Sequence, residues 1–339
     1  MLDTVTRRVR NTLRYTLGIG EPELGQSPRT LVASRDKVKL WRYDSERRSI
    51  RPPLLLTMSL VTRPTVFDLS PGNSLIERFV GAGFDVWMID WGEPGPADCE
   101  NTLETYCDDY LPWAVDQTAD RSGADSVTLF GYCFGGFLSL LSLAANDDMP
   151  VENLVVLATP IDFDQGPSQL RPGRLAANVD ETGNVSAEVL RTAFMSLDPG
   201  AEITSRVNLW QRMDDDAYLA AHRVMTGWGN DHIRFPGATA KQMERLFSDH
   251  NPILDGTLQL GGRRVDLSAI TVPFLSVVGE KDHIAPPATS DPLLGLVGSA
   301  DKTELRVPAG HVGLFVGASA HKRCVPGIID WIAERSTET

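Results

Sequence analysis

Asp125-Ser-Val-Thr-Leu-Phe-Gly-Tyr-Cys-Phe-Gly-Gly-Phe-Leu-Ser-Leu-Leu-Ser-Leu-Ala144 reads as a strand, a sharp turn and a helix in succession. Strand formers come first and the turn falls at Gly131–Gly136. Leu138, Leu140, Leu141 and Leu143 then continue as an apolar helix. This is the setting of a G-x-S-x-G nucleophile, with Cys133 in the serine position. The glycines fit, because such an elbow holds its nucleophile in a strained turn with no room for neighbouring side chains. The free N–H groups of the following helix point at the sulfur and favour its thiolate. A lone cysteine is more often a small buried hydrophobe, so the reading needs support from the rest of the chain.

Working outward, strands are expected near 29–34, 37–43, 53–60, 84–90, 153–159, 272–278 and 303–307. Helices are expected over 73–82, over 101–119 and over 319–334, the second with Asn101 as cap and Glu104 completing a capping box. The alternation implies a mainly parallel sheet with helices on both faces, and active residues at the strand C-termini. Between 163 and 262 it stops. That stretch carries Trp210, Met213, Met225, Trp228, Phe235 and Met243 among helical patterns and reads as an inserted helical cap. These side chains are assigned to cap packing rather than to a cofactor box. The expected organisation is an amphipathic helix and linker (1–28), a first part of the sheet domain (29–162), the cap (163–262) and a second part of the sheet domain (263–339). This is an α/β-hydrolase fold.

A nucleophile elbow needs a base to take its proton and an acid to orient the base, in the chain order nucleophile, Asp/Glu, His. Asp282 follows one strand and His311 the next. His283 is the rival base, but the glycines beside His311 favour the latter. His222, His232, His250 and His321 read as surface or cap residues, Asp90 as structural, and Asp162 and Asp164 as the start of the cap. The oxyanion N–H groups are assigned to Phe134, after the nucleophile, and to Val61, with Leu60 as the alternative.

Composition narrows the function. A net charge of −13 argues against nucleic acid as a partner. Cys99, Cys107, Cys133 and Cys324 show neither metal spacing nor a disulfide framework, which fits a reduced, cytoplasmic compartment. No metal or cofactor is implied. No apolar run is long enough for a bilayer span, and the N-terminus lacks a secretory core. Residues 1–17 place Leu2, Val5, Val9, Leu13 and Leu17 at helical spacing between Arg7, Arg8, Arg10 and Arg14. That helix either packs on the domain or docks a partner or an apolar particle; an organellar transit peptide is a third option.

The stretches Ser59-Leu-Val-Thr-Arg-Pro64, Asp85-Val-Trp-Met-Ile-Asp-Trp-Gly92, Gly131-Tyr-Cys-Phe-Gly-Gly136 and Leu157-Ala-Thr-Pro-Ile-Asp-Phe163 resemble the poly(3-hydroxyalkanoate) synthase family, in its short class III catalytic subunit. Gly261-Gly-Arg-Arg-Val-Asp-Leu267, Gly279-Glu-Lys-Asp-His-Ile-Ala-Pro-Pro287 and Gly310-His-Val-Gly313 continue the likeness in family order. The resemblance implies that Cys133 carries the growing chain and His311 activates it. It implies that Asp282 helps activate the 3-hydroxyl of the incoming group, directly or through His311. It further implies a (3R)-hydroxyacyl-CoA substrate such as 3-hydroxybutyryl-CoA, release of CoA, a class III partner subunit, a homodimer formed through the cap within a hetero-oligomer, and polymer granules as the location. Phe134 departs from the smaller or polar residues common after the nucleophile, and the cap matches less well than the ends. A cysteine-dependent hydrolase or thioesterase is the alternative, and a non-catalytic granule-surface protein the third reading.

Overall fold

The computed structural model describes residues 2–19, 24–317 and 319–338. The expected linker therefore falls in part, at residues 20–23, outside the described residues. The main strands are β1 (Arg29–Arg35), β2 (Val38–Tyr43), β3 (Ile50–Thr57), β4 (Phe84–Asp90), β5 (Val127–Tyr132), β6 (Val151–Leu157), β7 (Phe274–Gly279), β8 (Lys302–Val307) and a short β9 (Thr337–Glu338). They lie in the order β1-β2-β4-β3-β5-β6-β7-β8, with β9 antiparallel to the start of β3. β1 and β2 are antiparallel to each other, and β2 to β4. From β4 to β8 every neighbouring pair is parallel.

Helices α1 (Leu2–Thr16), α2 (Leu75–Gly81), α3 (Leu111–Ser122) and α4 (Phe134–Ala145) precede β6. Between β6 and β7 come α5 (Pro172–Ala176), α6 (Ala187–Met195), α7 (Pro199–Gln211), α8 (Asp216–Asn230) and α9 (Gly237–Phe247). α10 (Val325–Ala333) lies near the C-terminus. Alternate strand residues serve opposite faces of the sheet. Leu55, Trp87, Leu129 and Leu154 join a core that includes Leu111 of α3 and Leu138 of α4. Leu54, Met88, Phe130 and Val155 join another with Phe79 of α2 and Ile328 of α10. Cover on both faces explains why the central strands read as unbroken apolar runs.

Several expectations are corrected. β3 ends at Thr57 rather than at residue 60, and the Met58 carbonyl accepts the Trp91 indole N–H at 2.8 Å instead of continuing the ladder. Asn101 does not cap a helix through a box with Glu104. The helix starts at Leu103 and passes through wide π-type turns at Thr105–Tyr110 before α3. Glu104 instead accepts from the Gly261 N–H at 3.0 Å and from Gln242 Nε2 at 2.8 Å. In the cap, Met213, Phe235 and Met243 are buried as expected, but Trp210 is 65% exposed under the Arg8 guanidinium.

Helix α1 rests on α8 through polar groups. Asn11 Nδ2 donates to Asp216 Oδ1 at 2.7 Å and to the Met213 carbonyl at 3.0 Å, and Tyr15 Oη meets His222 Nδ1 at 3.0 Å. Its apolar side chains Val5, Val9, Leu13 and Leu17 face outward, each more than half exposed. The Gly261–Leu267 stretch lies away from Cys133. There Arg263 donates to the Ala145 carbonyl at 3.0 Å and pairs with Asp108 at 2.6 Å, which places a cation at the C-terminal end of α4.

Candidate active site

Cys133 sits where β5 turns into α4, with φ +53° and ψ −122°. A side chain in that region is strained and persists only where the surroundings hold it. The Cys133 N–H donates to the Leu157 carbonyl at 2.8 Å, and its carbonyl accepts from the Phe137 N–H at 3.1 Å. The glycines answer a packing demand. A Cβ on Gly131 would lie 2.4 Å from Gly136 Cα, and one on Gly135 would lie 2.3 Å from the Thr57 carbonyl oxygen. Strand and helix thus meet at backbone contact on both sides of the cysteine.

Asp282 and His311 lie in the loops after β7 and β8. The first loop is bonded to the end of β8 and to the second loop: the Glu280 N–H donates to the Val307 carbonyl at 2.9 Å, and the Lys281 N–H to the Ala309 carbonyl at 3.0 Å. Asp282 Oδ2 meets His311 Nδ1 at 2.6 Å. Asp282 Oδ1 accepts the Ile284 and Ala285 N–H groups, each at 2.8 Å. The Asp282 side chain is 0% exposed, so both carboxylate oxygens are spent inside the protein. With Nδ1 on Asp282, the other ring nitrogen is left for the Cys133 side chain, which lines the same cavity as His311. Burial works to lower the His311 pKa, but the Asp282 charge and the Cys133 sulfur outweigh it and push it up to about 10. The Tyr132 ring lies 4.9 Å from the imidazole and backs it.

The remaining candidates separate cleanly. His283 is exposed and points to a surface groove, so it is not in the acid–base pair. Asp90 Oδ1 accepts the Gly92 N–H at 3.1 Å and Asp162 Oδ1 the Asp164 N–H at 3.2 Å, both local turn bonds. Burial pushes the Cys107 thiol well up and that of Cys324 to about 12, which leaves both inert. Among the described residues no cluster of three or more His, Cys, Asp or Glu could hold a metal ion.

Val61 and Phe134 line the same cavity as Cys133, while Leu60 is buried and absent from its wall. The Val61 loop is shared with the cap. The Val61 carbonyl accepts the Ile233 N–H at 3.1 Å, Thr62 bridges to His232, and Arg63 pairs with Asp231 at 3.0 Å. His232, within the 163–262 stretch read as the cap, therefore also reaches the wall of the Cys133–His311 cavity. Ser59, Arg191 and Trp228 line that cavity too. Nothing in the sequence assigns these four to the site; tertiary pairing brings them in.

Two spaces adjoin the Cys133–His311 pair, one at each residue. One is apolar, about 110 Å³, and walled by Phe134, Phe163, Leu190, Phe235 and Met243. The other is a groove of about 860 Å³ that reaches His311 from the surface. Among the described residues, Arg191, Arg206 and Lys281 line the groove together with a single carboxylate, Asp198.

The α/β hydrolase fold family matches residues 63–318. The poly(3-hydroxyalkanoate) polymerase subunit PhaC of Allochromatium vinosum is 36% identical over 344 residues, covering 99% of this chain and 96% of that protein. The subunit of the same name from Synechocystis is 34% identical, covering 97% and 91%. That of Haloferax mediterranei is 34% identical over 94% of this chain, which spans 66% of its length. Among solved structures, a hydrolase from Pseudomonas aeruginosa superposes with a TM-score of 0.54 at 17% identity, over 92% of this chain and 99% of that one. A monoacylglycerol lipase from Paleococcus ferrophilus gives 0.52 at 18%, over 87% and 99%. These structural likenesses concern the fold.

Proposed function

This chain belongs to the poly(3-hydroxyalkanoate) polymerase family, acyltransferases on the α/β-hydrolase fold, and we propose that it polymerises (3R)-hydroxyacyl-CoA through an acyl-cysteine on Cys133. The observation that carries this reading is the strained Cys133 at the start of α4, sharing a cavity with a His311 whose Nδ1 is held by Asp282. His311 takes the thiol proton, and the sulfur attacks the thioester carbonyl carbon. The negative oxygen is met by the Phe134 and Val61 N–H groups. When the carbonyl re-forms, CoA leaves with the proton from His311. His311 then takes the proton of the 3-hydroxyl of an incoming hydroxyacyl-CoA, whose oxygen attacks the acyl-cysteine carbonyl; the ester forms as the Sγ–acyl bond breaks, and the Cys133 sulfur recovers the proton from His311. Both oxygens of Asp282 are engaged internally, so in this mechanism it acts on the hydroxyl through His311 and not directly.

The two spaces support the substrate class. The groove's Arg191, Arg206 and Lys281 give a local positive wall on an acidic chain, suited to the phosphates of CoA. The apolar space suits a short acyl group. No cofactor enters the scheme, since one thioester replaces another. The reading includes a class III partner subunit, a dimer formed through the cap and attachment to polymer granules. The outward apolar edge of α1 supports a docking role for that helix. Among the described residues no helix is long and apolar enough to cross a membrane.

The test is CoA release from 3-hydroxybutyryl-CoA with product mass read in parallel, with and without a class III partner subunit. High-mass polyester that is lost in Cys133→Ala is expected. CoA release with only free hydroxyacid would replace this reading with a thioesterase.

A further inference from the structure

Ser59 lies on the loop that leaves β3, two residues before Val61. It is 2% exposed, and its hydroxyl has no hydrogen-bond partner. Such a group carries a desolvation cost with nothing in the fold to offset it, and in native proteins that usually has a reason. Here the surroundings supply one. Ser59 lines both the apolar space and the cavity that Cys133 shares with His311. Thr57, two residues earlier, also has an unpartnered hydroxyl but lines neither. The loop is held firmly at this point, because Trp91 binds the Met58 carbonyl and Gly135 of α4 packs against the Thr57 and Met58 carbonyls.

We propose that the Ser59 hydroxyl is a third hydrogen-bond donor to the carbonyl oxygen of the acyl group that Cys133 attacks. The assignment rests on acyl transfer at Cys133. As the Sγ–C bond forms, the carbonyl electron pair moves onto oxygen, and Ser59 donates a hydrogen bond to that oxygen while keeping its proton. When the pair returns, the thiolate leaving group departs with the proton held by His311. Ser59 is thus unpaired in the free protein and paired only when charge develops. A donor satisfied at that moment lowers the barrier more than it tightens substrate binding.

The test compares two reactions of the same sulfur in the full-length protein and in Ser59→Ala. Acylation by p-nitrophenyl butyrate passes through an oxyanion; alkylation by iodoacetamide does not. Neither needs the polymerase reading, so a chain that ignores 3-hydroxybutyryl-CoA can still be judged. Ser59→Ala should slow acylation by about 10- to 100-fold, less than the ~10²–10³ seen when one of fewer donors is removed, and leave alkylation within about twofold. The thermal midpoint should stay level or rise, because the variant removes an unsatisfied buried hydroxyl. Unchanged acylation would overturn the proposal. So would acylation and alkylation that fall together, which would make Ser59 a support of the elbow and not a donor.

Discussion

Asp282→Asn isolates the acid–base pair. The substituted amide keeps an oxygen for the Ile284 and Ala285 N–H groups, so the loop bonds at 2.8 Å survive. The change falls on the 2.6 Å contact with His311 Nδ1. An amide N–H₂ turned toward that nitrogen makes it an acceptor and moves the ring proton to the nitrogen that should take the cysteine's. The electrostatics shift in the same sense. Burial alone lowers the imidazole pKa, and the Asp282 charge is the largest of the influences that raise it to about 10. Raising a histidine from about 6.5 to that level corresponds to a preference of several kcal/mol for the protonated ring. Without the carboxylate, the ring loses the largest influence that raises it and its pKa should fall from about 10. Acyl loading at neutral pH should fall by about 10³–10⁴-fold, as it does when a triad carboxylate is made an amide elsewhere. Elongation should fall by the same factor, because Asp282 reaches the hydroxyl only through His311. The wild-type pair contributes folding stability that is fully present below the unfolded histidine pKa and is lost as pH rises through about 10. In the variant that loss should shrink and move to lower pH. Rapid-quench loading, polymer growth from a preloaded enzyme and thermal midpoints across pH would report all three. Normal loading with lost elongation would refute the reasoning and return Asp282 to direct contact with the hydroxyl.

Gly135→Ala should abolish acyl loading and destabilise the fold by about 1–3 kcal/mol in chemical denaturation, since its Cβ would lie 2.3 Å from the Thr57 carbonyl oxygen and 2.5 Å from that of Met58. Lys281→Ala, in the wall of the groove, should raise KM for hydroxyacyl-CoA several-fold with little change in kcat and weaken its dependence on salt; an unchanged KM would place the phosphates elsewhere.

What the sequence discloses follows the range of the forces involved. The elbow is legible because its demands are local: a strand, close-packed glycines and a helix within twenty residues. Asp282 and His311 are legible because each follows its own strand, and the parallel order of β5 through β8 brings the strand ends to one edge. Glu104 misleads because a capping box is a local rule, and here Gly261 and Gln242 compete for the carboxylate from far along the chain. Trp210 misleads because aromatic content does not show whether a ring meets a core or an arginine. His232 carries no motif, and Ser59, although it opens a stretch of the family likeness, has no pattern that marks it for the site. One reaches the site by a bridge to Thr62 and the other by the early end of β3.

The site divides by what holds it. Cys133, Asp282 and His311 depend on the sheet: the cysteine is pinned to the end of β6, and the two loops are bonded to each other. The loop opposite, from Ser59 to Arg63, is held from two directions. Trp91 and Gly135 fix its start from within the sheet domain. The cap fixes its end through Ile233, His232 and Asp231. The groups that make and take the proton thus belong to the rigid layer. Of the groups proposed to face the developing charge, Phe134 belongs to the elbow, whereas Val61 and Ser59 belong to a segment whose position is set jointly by sheet and cap. The bonds at Asp231–Ile233 therefore couple the placement of Val61 and Ser59 to the element that also walls the proposed substrate space through α6, α8 and α9.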